Sequence, residues 1–111
     1  MFEYYVYGCK VESNYRCPLL TEYVNQQIFY TVSLKIVIDS RYQNTKSQTR
    51  FIHDDVIEID SRDIRYVIDG KRNMIETYAS NFDIVQISLL NIPFSMFLAS
   101  KGIPVLHSGT V

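Results

Sequence analysis

His107 follows Val105 and Leu106 and precedes Ser108, Gly109 and Thr110. An imidazole that titrates near neutrality, set ahead of small residues that let a ligand approach the backbone, is the strongest candidate for chemistry in the chain. The same pattern also fits a core histidine satisfied by a backbone partner. His53, Asp54 and Asp55 supply an imidazole and two carboxylates, donors that suit a divalent cation. Adjacent residues of an extended chain point to opposite faces, however, so a solvated loop is the plainer reading. Cys9 and Cys17 have no second Cys or His pair at ligand spacing, which argues against zinc. As thiols they are either reactive or buried as small hydrophobes, and no activating base lies near them in sequence. Gly70-Lys71 has no glycine at the spacing that a phosphate loop requires, so it reads as a turn of type I′ with an exposed lysine. No catalytic set is complete, and no cofactor or metal site is expected within these residues.

The elements that would position these side chains are mostly strands. "FEYYVYGCKVES" is rich in Tyr and Val and predicts a strand over residues 2–12, ended by the polar "SNYRCP". "IFYTVSLKIVID" alternates, with Val32, Leu34, Ile36 and Ile38 on one face, and predicts a half-buried strand over 28–39. Residues 40–50, "SRYQNTKSQTR", carry no apolar period and read as a flexible loop. Three short strands follow, near 55–60, 63–69 and 72–79, with Asp69-Gly70 as a hairpin turn. The period then changes. Ser80 or Asn81 can cap a helix, and Ile84, Ile87, Leu90, Phe94, Phe97 and Leu98 recur at spacings of three and four, predicting one main helix near 82–100. Pro93 should kink or divide it, and Lys101-Gly102 suits its C-cap. A final strand is expected near 103–110. The class is therefore α+β, a β-rich N-terminal part with one principal helix.

Composition bounds the function classes. With 111 residues and 47% hydrophobic content, one domain spanning 1–111 is expected. Eleven Lys plus Arg against twelve Asp plus Glu, spread along the chain, show no basic footprint for nucleic acid or for an anionic membrane. The apolar stretch from Ile84 to Ala99 is interrupted by Gln86, Ser88, Asn91, Pro93 and Ser95, which is unlike a membrane span. "MFEYYVYG" is unlike a secretion signal, so reduced thiols in the cytoplasm are expected.

Taken in order, "YYVYGCKVESNYRCPLL", "IRYVIDGKRNMIE" and "FLASKGIPVLHSGTV" resemble the HPr serine kinase-like family, including small relatives encoded beside peptide-modification genes. Those proteins open with a "YxxYGLxxxSxxxxPxL"-like segment and carry a helix that ends in Gly before an "LHxSxV"-like strand. The resemblance spans nearly the whole chain. Cys9 stands where an aliphatic residue is usual, and Gly109 stands where a serine often does.

The resemblance implies that this chain is the N-terminal portion of an ATP-dependent serine kinase acting on a protein or peptide, truncated before the Walker A loop. ATP and magnesium are implied for the full-length family and not for this chain. His107 matches the family histidine just ahead of the nucleotide site, and Ser108 to Val111 match the small-residue strand behind the phosphate loop. The portion in hand is not expected to be catalytic alone. The rival reading is a stand-alone protein- or peptide-binding module, using a strand edge and tyrosine anchors. An unpaired terminal strand is also an edge for a second copy, so self-association is expected.

Overall fold

The computed structural model describes residues 1–43, 48–53, 55–61, 63–88 and 92–103. Among the described residues eight strands form one mixed sheet: β1 (Phe2–Val6), β2 (Cys9–Ser13), β3 (Thr21–Glu22), β4 (Tyr30–Ile38), β5 (Gln48–His53), β6 (Val56–Ser61), β7 (Ile64–Asp69) and β8 (Met74–Ala79), in the order β3-β1-β2-β4-β8-β7-β6-β5. The described residues also form two helices, α1 (Phe82–Ser88) and α2 (Ile92–Ser100), which makes the fold α+β. β2, β4 and β8 run parallel, flanked by antiparallel pairs.

The expected strand over 2–12 is corrected to a hairpin. Val6 pairs with Cys9 across Tyr7 and Gly8, both at positive φ (48° and 81°), the backbone of a two-residue type I′ turn. Gly8 is needed twice over: a Cβ there would also lie 2.6 Å from the Phe29 ring. The antiparallel run expected as three strands has a fourth, β5, which begins at Gln48 and so takes the end of the segment expected as loop. Residues 44–47 of that segment lie outside the described residues. The Asp69-Gly70 turn is not type I′. It is a four-residue connection in which Asn73 takes the left-handed conformation (φ 51°) and the Asp69 carboxylate accepts the Lys71 and Arg72 amides at 3.1 Å each.

The expected helix over 82–100 is two helices whose axes lie 54° apart. Asn81 caps the first, its Oδ1 accepting the Ile84 amide at 3.1 Å. Pro93 falls in the first turn of α2, where its missing N–H leaves no bond unmade, so it opens a helix and does not bend one. Because the period restarts, Ile87 is 76% exposed and Val85 takes the buried place in α1.

One face of the sheet holds the core. Registered rows such as Tyr4–Val11–Val32 and Ile36–Thr77–Tyr66–Ile59 bring alternate residues of successive strands together. α1 packs on β8 and α2 on β7, sealing this face with Val85, Phe94, Phe97 and Leu98. The opposite face is polar and laced with ion pairs, Lys10 to Glu3 at 3.0 Å and Arg65 to Asp60 at 2.7 Å. Asp60 is 5% exposed, and the guanidinium compensates its buried charge. The final strand expected over 103–110 lies outside the described residues beyond Ile103, whose amide closes the end of α2 on the Leu98 carbonyl at 2.9 Å.

Candidate functional site

α1 packs on β8 and α2 on β7, and over β1 and β2 a different cover is used. A strap from Asn14 to Leu20 crosses the core side, with Cys17 and Leu20 buried beneath it. Its anchors are local polar contacts. Ser13 Oγ accepts the Tyr15 amide at 3.0 Å and donates to the Tyr15 carbonyl at 2.8 Å, and the Cys17 amide donates to Tyr4 Oη at 2.6 Å. Asn14 continues the β2 ladder with its side chain, receiving the Ile36 amide at 2.8 Å and donating to the Ile36 carbonyl at 3.0 Å. Tyr15 stacks on Phe82, with ring centroids 5.2 Å apart, and so ties the strap to α1.

From the strap the chain turns back to the sheet edge as β3, which pairs Thr21 with Tyr5 and Glu22 with Tyr4. The Tyr23 amide adds a bond to the Glu3 carbonyl at 3.2 Å, after which Asn25 enters the left-handed region (φ 53°) and the chain leaves. The gap between strap, β1 and β3 is an open depression of about 390 Å³, lined by Met1, Phe2, Glu3, Tyr4, Arg16, Glu22 and Tyr23. Tyr4 and Phe2 give it an apolar floor. Glu3 is already paired with Lys10, whose ammonium also sits 4.9 Å from the centre of the Tyr23 ring. That pairing raises the Lys10 pKa above its ordinary value. The hydrogen bond to Glu3 is the main cause and the carboxylate charge adds to it. Arg16 and Glu22 are exposed, and among the described residues neither has an ion-pair partner.

The structure does not gather the residues singled out from sequence. Cys9 and Cys17 are each 1% exposed, and burial pushes both thiols up, which makes them poor nucleophiles. His53 ends β5, Asp54 lies outside the described residues, and Asp55 serves through its carbonyl, which accepts the Gly70 amide at 2.7 Å. Among the described residues no group of three His, Cys, Asp or Glu could hold a metal ion. Gly70-Lys71 belongs to the β7–β8 turn, where Ser100 of α2 lies against the glycine. His107 and Ser108 to Val111 lie outside the described residues. Among the described residues no single helix is long and apolar enough to cross a membrane.

The residues that sequence reasoning passed over are Arg16, Glu22 and Tyr23. They stand in "NYRCPLLTEYV", whose opening reads as a polar turn ended by Pro18 and whose two-residue strand has no period to detect. Among the described residues that line the depression no nucleophile is paired with a base. No family model, curated protein or solved structure matches this chain.

Proposed function

We propose that this chain acts by binding, holding an extended segment of a protein or peptide along the edge formed by β3 and β1. The observation that supports this reading is the depression of about 390 Å³ beside an edge strand only two residues long. A segment added to such an edge gains main-chain hydrogen bonds, and alternate side chains reach the depression. Because Tyr23 donates toward β1, the peptide groups of Glu22 face outward and are the ones a new strand would use.

The test is a selection of linear peptides on the purified chain, followed by amide chemical-shift mapping. Selected peptides are expected to move the signals of Thr21, Glu22 and Tyr23, and Glu22→Pro, which removes the outward N–H, is expected to weaken them by about tenfold. Peptides whose shifts all fall elsewhere would overturn the reading.

A second reading follows the ordered resemblance to HPr serine kinase-like proteins. The β1–β2 hairpin carrying "YYVYGCKVES" and a left-handed Gly102 (φ 79°) that follows α2 directly before "IPVLHSGTV" support it. In that reading the edge docks the protein or peptide substrate of an ATP- and magnesium-dependent serine kinase in the cytoplasm. This portion alone transfers no phosphate, because its residues include no GxxxxGK[ST] loop to stabilise charge on the transferred group. Transfer of label from γ-labelled ATP by the purified chain would overturn it. A GxxxxGK[ST] motif encoded within about twenty codons of Val111 would support it.

A further inference from the structure

Resting on the edge-binding reading, we infer that the segment held there carries one acidic and one basic side chain two positions apart. Three charged residues line the depression, and the side chain of one of them, Glu3, lies on the opposite face of the sheet, where Lys10 neutralises it at 3.0 Å. The other two, Arg16 and Glu22, have no ion-pair partner among the described residues and do not pair with each other. They share a side of the sheet. Glu22 is registered with Tyr4, whose side chain faces the core, and Arg16 belongs to the strap whose Cys17 amide bonds the Tyr4 hydroxyl. A strand laid against β3 projects residues i and i+2 to that same side, so a basic residue can meet Glu22 while its neighbour two positions on, acidic, meets Arg16.

The same charges disfavour a second copy as the occupant. Antiparallel pairing of β3 with its own twin sets Glu22 against Glu22 across the symmetry axis, a like-charge contact. They also disfavour a uniformly acidic or uniformly basic segment, which would satisfy one side chain and repel the other.

The probes are five acetylated, amidated seven-residue peptides of Thr and Val, with Lys and Glu, Lys and Lys, Glu and Glu, or Ala and Ala at the third and fifth positions. The Lys/Glu pair is made in both orders. Affinity and amide shifts of the full chain are measured for each. Two exposed ion pairs predict a preference of about fivefold for one Lys/Glu order over Ala/Ala. In Arg16→Glu the preference is expected to move to the Lys/Lys peptide, a gain that a merely unfolded variant could not show. Equal affinities for all peptides, with shifts still at Thr21 to Tyr23, would overturn the charge pairing and leave the edge reading standing. Shifts absent from that edge with every peptide would overturn both.

Discussion

Beneath α1 and α2 the sheet buries Tyr66, Ile68 and Ile75 under Val85, Phe94, Phe97 and Leu98, so that side chains interlock across two layers. At β1 and β2, Tyr4, Val6, Cys9 and Val11 are as deeply buried, yet the cover is a strap held by Ser13, Asn14 and the Tyr4 hydroxyl. The first arrangement draws on apolar area and close packing, which no short segment can replace. The second satisfies backbone groups one by one and ends at an open depression. Close apolar packing belongs chiefly to one end of the sheet and the open depression to the other.

The largest test of that contrast is Phe97→Ala. Phe97 is fully buried and meets the Tyr30 ring edge-on at 6.1 Å, so its loss should cost about 3–5 kcal/mol in urea denaturation. Leu20→Ala, under the strap, should cost about 2–3 kcal/mol, because a strap can settle into part of the cavity. The reverse order of costs would break the comparison.

A pH experiment sharpens it. Burial pushes the Tyr66 hydroxyl up to about 12, while its bond with Ser88 pulls the other way. A folded-state pKa above the unfolded value of 10 means that this contribution is intact below pH 10. It is lost as pH rises from 10 through about 12, by roughly 2–3 kcal/mol in all. The difference in unfolding free energy between the native chain and Tyr66→Phe, followed from pH 9 to pH 12, measures it. A flat difference would mean that the phenol titrates as if in water, contrary to a sealed helix-covered core.

The smallest effect belongs to the strap. Tyr4→Phe leaves the buried Cys17 amide without its acceptor and should cost about 1–2 kcal/mol. Hydrogen exchange should quicken at Cys17 and Leu20 while the amides of β7 and β8 keep their protection. Acceleration throughout the sheet would show that strap and helices form one cooperative unit.

Much of the sheet was legible as alternation. Val32, Leu34 and Ile36 are buried on one face as their spacing implies, because a strand with one buried face must keep period two. The turns were also written there as changes of phase. Buried positions pass from Tyr4 and Val6 to Cys9 and Val11, and from Ile57 and Ile59 to Ile64, Tyr66 and Ile68, each shift marking a reversal. The first was read as a single strand because Tyr7-Gly8 lacks the Asn-Gly signature of a type I′ turn. The helix break was misplaced for a related reason: proline is costly inside a helix and harmless in its first turn, and the period alone does not say which turn it occupies.

The candidate site was not legible in this way. Arg16 and Glu22 are ordinary surface residues by type, and nothing nearby in sequence announces that they share a depression. His107, the most suggestive side chain by type, lies outside the described residues.

Local chemistry therefore determined which faces of the strands are buried, where α1 is capped, and that no complete phosphate loop occurs in these residues. Only the tertiary structure decided that the chain leaving β2 passes β1 to form β3 at the edge, that α1 and α2 seal one end of the core, and that a strap leaves the other end open. The physical reason is range. Alternation and capping are settled within a few residues, whereas strand order is settled by which distant surfaces bury the most apolar area for the loop entropy they cost.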